Sequence, residues 1–261
     1  TDSWTLDNQK AWNLNQGKDA WIGGFTFKRE GYESLSDKSL SIDRTSNALY
    51  TSYTHQFNPK FSTIIGMRGE FIQGNGYDAT HNVFLPQLQT LYKINSTTSW
   101  YTNMGKSFEM PSINSKYYST KVSSRSILSP QEGWTYETGV KKIRENDSVK
   151  LAVFHMDIDN KFKWVKESDV FAGGDSGTNI QINEGKFRNT GVELEYAKVL
   201  NNHWKWNAGA TYSNPEANDD GNWVQESARV QLNTGVEYKR DKWLTNLTWM
   251  YTGDREDSYY R

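Results

Sequence analysis

The side chains able to move protons at neutral pH are few in this chain, and their spacing argues against catalysis. Four histidines, His55, His81, His155 and His203, lie in separate stretches, and no Ser/His/Asp grouping stands at a recognisable spacing. His155 and Asp157 are two apart, which puts them on one side of an extended strand. The expected role is a polar contact on the watery side of a wall. With no cysteine, thiol nucleophiles and thiolate metal sites are excluded. The acidic runs at residues 173–177 and 218–222 lack the spacing of a calcium loop and read as turns. The sequence therefore predicts no enzyme, no cofactor and no metal site. The remaining chemistry is recognition. Residues 109–132 hold Lys116, Tyr117, Tyr118 and Arg125, and residues 159–183 hold Lys163, Trp164 and Phe171. Aromatic faces beside cations suit an anionic, partly aromatic ligand, although such residues are also ordinary on a solvated loop.

What must position these stretches is a set of alternating runs. Six short polar turns, at residues 16–18, 58–60, 95–97, 146–148, 201–203 and 241–242, alternate with long polar stretches at 31–44, 73–82, 109–132, 159–183 and 213–226. Tight turns at one end and long loops at the other are the mark of an antiparallel up-and-down transmembrane β-barrel, with binding residues carried on the long loops. The runs between them alternate with period two. Trp204, Trp206, Ala208, Ala210 and Tyr212 oppose Lys205, Asn207, Gly209 and Thr211; Val230, Leu232, Thr234, Val236 and Tyr238 oppose Gln231, Asn233, Gly235, Glu237 and Lys239. About a dozen such strands of about ten residues are predicted, long enough to cross a bilayer when tilted. The polar side carries Arg68, Glu70, Glu137, Glu193, Glu195 and Glu237, expected to face a lumen.

Composition fits the same class. Hydrophobic residues make up 35% and mean hydropathy is −0.84, so no helical span is present, whereas barrel strands need only alternate apolar positions. Formal net charge is −1, which provides no nucleic-acid footprint. Two other architectures alternate in a related way: a passive outer-membrane porin, and a soluble glycan-binding β-protein that uses its tryptophans as sugar platforms.

Four blocks in order carry a family resemblance. Gly105, Ser107, Phe108 and Pro111 resemble a "G-x-S-F-x-x-P" strand and loop. Leu128, Pro130, Glu137 and Gly139 follow, similar to "L-x-P-E-x-x-x-x-x-E-x-G". After the strand around Ala152–Asn160, Asn183, Gly185, Lys186, Gly191, Val192, Glu193, Leu194 and Glu195 resemble "N-x-G-K-x-x-x-x-G-V-E-L-E". These are patterns of TonB-dependent outer-membrane receptors. The resemblance implies a 22-stranded barrel that imports a scarce nutrient, typically a ferric siderophore or cobalamin, across the outer membrane of a Gram-negative-type bacterium. The implied partners are outer-membrane lipid, the plug domain of the parent chain, the TonB complex that supplies energy, and a metal-chelate or cobalamin-like ligand. Residues 1–261 are expected to form a partial barrel domain, from roughly the eighth to the nineteenth strand, without plug, TonB box or final strands. The polar wall is then expected to contact the plug. No histidine lies between Phe108 and Pro130, which counts against a haem ligand.

Overall fold

The computed structural model describes residues 2–33, 41–74, 80–113, 128–219 and 221–255. They form one antiparallel sheet whose strands follow chain order. The strands are β1 (Asp2–Leu14), β2 (Asp19–Glu33), β3 (Ser41–Asn58), β4 (Phe61–Gly74), β5 (His81–Lys93), β6 (Thr98–Glu109) and β7 (Gln131–Ile143). Then come β8 (Asp147–Lys166), β9 (Asn179–Val199), β10 (Trp204–Asp219), the short β11 (Asn222–Gln225), β12 (Val230–Arg240) and β13 (Trp243–Gly253). Each strand pairs with the next, except that β11 folds back on the end of β10 and β12 takes the next place beside β10. β1 and β13 each pair with a single neighbour.

The six predicted tight turns are all present. Three of them use one device. The side-chain oxygen of Asn58 accepts from the N–H groups of Lys60 and Phe61 at 2.9 and 3.0 Å, that of Asn95 from Thr97 and Thr98 at 3.0 and 2.9 Å, and that of Asn201 from His203 and Trp204 at 2.9 and 3.1 Å. An asparagine that satisfies the turn's own amides closes a hairpin in few residues. Asp241 closes the last hairpin with φ of 52°, in the left-handed region that short polar side chains tolerate.

Register then carries the alternation across the whole sheet. One row of directly opposed residues runs Trp12, Trp21, Tyr53, Ile65, Leu88, Met104, Tyr136, His155 and Thr190. Residues of this parity form a mainly apolar face over most of the sheet, including Trp4, Leu6, Leu49, Leu151, Leu194, Leu232 and Leu247, which are exposed, whereas toward the long connections the same parity carries Asp157, Arg188 and Glu216. The opposite parity forms a polar face. Among the described residues few apolar side chains are buried, and the larger ones gather at the end where the long connections lie: Ile42, Ile72 and Val83 at the ends of β3, β4 and β5, and Ile180 and Ile182 at the start of β9.

The structure corrects the sequence in two places. The stretch 159–183, expected as one long loop, is largely strand: β8 continues to Lys166 and β9 begins at Asn179, joined through a short helix α1 (Glu167–Val170). A bulge between Ile158 and Phe162, with Asn160 at φ of 55°, shifts the phase of the alternation, so the period-two pattern breaks although the strand does not. The stretch 213–226 likewise extends β10 and adds β11 around a turn in which Asn218 accepts from the Gly221 N–H at 3.2 Å.

Candidate ligand-facing rim and polar wall

All six polar-side residues expected from the sequence lie on the polar face, and they are tied into separate clusters. Arg68 pairs with Glu70 at 2.8 Å, beside Tyr50, whose ring lies 5.6 Å from the guanidinium carbon, and beside Thr26, which bonds to Asp7 at 2.8 Å. A second cluster centres on Lys150. Its ammonium lies 3.3 Å from Glu193, 3.7 Å from Glu195 and 3.8 Å from Glu137, and the Tyr101 hydroxyl donates to Glu137 at 2.6 Å. Three carboxylates around one ammonium leave acceptor capacity unused, and Glu195 is half exposed. Glu237 pairs with Lys205 at 3.1 Å. Beside the Lys150 cluster is a recess of about 810 Å³ lined by Lys93, Ser99, Tyr101, Asn103 and Lys141 among others.

Glycine makes the tyrosine contact possible. A Cβ on Gly139 would sit 2.8 Å from the Tyr101 hydroxyl and 2.6 Å from the Leu151 carbonyl oxygen. Only a residue without a side chain lets the phenol lie over β7 at Gly139 and reach Glu137 on the same strand.

At the long-connection end, the candidate ligand residues do not converge. Lys163 and Trp164 stand on the β8 extension rather than on a loop. Alternation puts Lys163 with the buried Ile180 and Ile182, and turns Trp164, which is exposed, to the other side with Gln181. Phe171 follows α1, with its N–H bonded to the Glu167 carbonyl at 2.9 Å. Lys116, Tyr117, Tyr118 and Arg125 lie outside the described residues. The acidic run at 173–177 is a turn as expected: Asp175 accepts from the Gly177 N–H at 3.0 Å and the Thr178 hydroxyl at 2.8 Å, and these bonds hold its carboxyl below the usual range.

One charged set at this end was not picked out from the sequence. Arg188 bonds to Glu216 at 2.8 Å with its guanidinium 4.1 Å from the Trp223 ring centre. Lys161 pairs with Glu226 and lies 5.3 Å from the Phe187 ring. The signal was available in Arg188 and Glu216, which oppose each other once the register of β9 and β10 is known.

His155 is a correction. Its Nδ1 meets the Thr190 hydroxyl at 2.6 Å and its Nε2 meets Asp157 at 2.7 Å, but all three stand on the apolar face, not on the polar one. The register leaves no choice, because Val149, Leu151 and Val153 share the parity of His155. This row of hydroxyl, imidazole and carboxylate resembles a nucleophile arrangement. The surrounding N–H groups of β8 and β9 are committed to the ladders, so no oxyanion donors accompany it. His55 forms a comparable pair with Asp19 at 2.7 Å at the short-turn end. Among the described residues no group of three or more potential ligands could hold a metal ion.

A meander of this length with one apolar and one polar face is matched along residues 1–261 by the family described as "TonB dependent receptor-like, beta-barrel". The chain belongs to the TonB-dependent receptor family. Its sheet is part of that family's β-barrel. Among solved structures it is similar to the siderophore receptor PirA from Pseudomonas aeruginosa, with 16% identity, a TM-score of 0.73, and 96% of this chain against 46% of that one. It is similar to the copper transporter OprC at 12% identity and a TM-score of 0.73, covering 97% of this chain and 44% of the other. The ferric yersiniabactin uptake receptor FyuA from Yersinia pestis matches at 18% identity and a TM-score of 0.65, over 95% and 42%. The chain thus spans less than half the length of these structures, and at such identities the likeness is one of fold.

Proposed function

We propose that this chain is part of an outer-membrane active-transport receptor that binds a scarce nutrient, a ferric siderophore being the substrate class, and imports it with energy supplied through TonB. The observation that carries the reading is the two-faced sheet. A continuous exposed apolar face suits lipid, and the opposite face carries paired charges with spare acceptors. A receptor wall of this kind would meet a plug domain of the parent chain at such acceptors, with Glu137, Glu193, Glu195, Glu237, Arg68 and Glu70 as contacts. Similar structures support the substrate class: PirA is described as a siderophore receptor and FyuA as a ferric yersiniabactin uptake receptor. Lys163, Trp164 and Phe171, with Lys116, Tyr117, Tyr118 and Arg125, are proposed as ligand contacts; their cations and rings suit an anionic chelate, whether of iron or of a cobalamin-like kind.

The test is uptake of iron-55 supplied as a panel of ferric siderophores by cells that express the parent protein or lack its gene. Accumulation that requires the gene and stops when a protonophore collapses the inner-membrane gradient is the expected result. Gene-dependent entry of small solutes that the protonophore leaves unchanged would instead make the parent a passive pore.

A further inference from the structure

The connection between β6 and β7 is fastened at both ends by side chains from strands that are not its neighbours. At its start, Pro111 is buried and its carbonyl accepts from Arg44 Nη1 at 2.8 Å. Arg44 is on β3, three strands away from β6 in the sheet. The rest of its guanidinium is held by Glu30 on β2, with Nε and Nη2 donating to one carboxylate oxygen at 3.1 and 2.9 Å. Lys28 holds the other oxygen of Glu30 at 2.8 Å. Arg44 is almost wholly buried, and its fork is divided between the Glu30 carboxylate and the Pro111 carbonyl.

At the far end, Asn183 on β9 does the equivalent work. Its Oδ1 accepts from the Ser129 N–H at 2.6 Å, and its Nδ2 donates to the Ser129 carbonyl at 2.9 Å and to the Asn160 carbonyl at 2.7 Å. One amide therefore copies the two-point bond of a strand partner, and it draws on the carbonyl that the β8 bulge turns aside. Leu128 and Pro130, on either side of Ser129, are both buried. Between the two ends, Gln131 joins Glu109 at 2.6 Å to the Phe162 N–H at 3.2 Å. β9 is two strands from β7.

We propose that Arg44 and Asn183 are positioning residues that hold the two ends of the β6–β7 connection, tying Pro111 toward β3 and Ser129 toward β9. The clamp gives Pro111 and Asn183, each part of a sequence block noted above, a shared mechanical task. It concerns the loop ends alone and stands whether or not the transport reading does.

The test is limited proteolysis of the full-length receptor in detergent. Trypsin has sites within the connection after Lys116, Lys121 and Arg125, and reference sites in the short turns after Lys18 and Lys242. Arg44→Met and Asn183→Leu are each expected to speed cleavage within the connection about tenfold or more, because each removes several hydrogen bonds to a buried or charged group and cleavage follows the open population. The turn sites should be cut at the wild-type rate. Asn183→Asp, which keeps the acceptor for the Ser129 N–H and loses both donors, should fall between wild type and Asn183→Leu. If Arg44→Met fails to assemble, the two Asn183 variants decide. Wild-type cleavage in Asn183→Leu, or equal acceleration at the turn sites, would overturn the proposal.

Discussion

Replacing Lys150 with methionine removes the ammonium and keeps most of the aliphatic stem, so the change isolates charge on the polar wall. Lys150 is partly buried, with carboxylates at 3.3, 3.7 and 3.8 Å. Each contact has a gross attraction of about 4 kcal/mol at an effective dielectric near 20. Desolvation and solvent screening offset most of this, leaving a net of about 1 kcal/mol per contact, and the half-exposed Glu195 contributes least. Removing the ammonium also leaves Glu137, Glu193 and Glu195 facing each other without a cation. The expected cost is about 2–3 kcal/mol of barrel stability. The assay is denaturant unfolding of the full-length receptor in detergent, for Lys150→Met, Glu193→Gln and the double variant. The double variant should be less destabilised than the sum, with a coupling of about 1 kcal/mol, because neutralising Glu193 relieves the repulsion. A Lys150→Met change within about 0.5 kcal/mol of wild type, or zero coupling, would refute the argument that this ammonium organises the cluster.

Three further outcomes are expected. Gly139→Ala should cost about 1–3 kcal/mol in the same unfolding assay and displace Tyr101 from Glu137, since the added Cβ would meet both the Leu151 carbonyl and the Tyr101 hydroxyl. The Asp175 turn should hold at neutral pH and loosen as pH falls: the folded carboxyl lies below its ordinary 3.8, so its contribution is complete above about 3.8 and is lost as pH drops through the folded value. Hydrogen exchange at the Gly177 amide from pH 6 to pH 3, corrected for intrinsic rate, reads this directly, and protection unchanged at the acid end would refute it. Leu247→Arg should cost about 2–4 kcal/mol in refolding into vesicles and Asn246→Arg less than 1 kcal/mol, because the two residues stand on opposite faces of β13. Equal costs would contradict the face assignment.

The strands and the short turns were legible because both depend on local chemistry. Period two in residues such as 204–212 survives any tertiary context, and asparagines at 58, 95 and 201 close their turns with their own side chains. The β8 extension was not legible. A single residue at positive φ, Asn160, shifts the alternation, and a phase shift in one strand looks the same as an end when its partner is unknown. His155 was assigned to the wrong side for a related reason. Polarity alone placed it with the polar face, whereas its parity with Leu151 and Val153 and its stacking near Tyr136, with ring centres 6.3 Å apart, put it at the end of the apolar face. Amphipathic groups are at home at such a boundary. The polar-side residues share one parity because each lies within an unbroken alternating run. Their partners could not be read, because Lys150 meets Glu137 and Glu193 across three strands whose register no local pattern states. The clamps on the β6–β7 connection were hidden for the same reason: Arg44 and Pro111 are 67 residues apart.

The central claim is that one parity of this sheet faces lipid and the other faces water, and β10 tests it most directly. The chain has no cysteine, so a single cysteine introduced in turn at each position from 204 to 212 of an otherwise cysteine-free receptor would carry the only spin label. In bilayers, collision with oxygen should be high and collision with a water-soluble nickel chelate low at 204, 206, 208, 210 and 212, with the reverse at 205, 207, 209 and 211. Accessibility with no period of two, or with the two sets exchanged, would contradict the account.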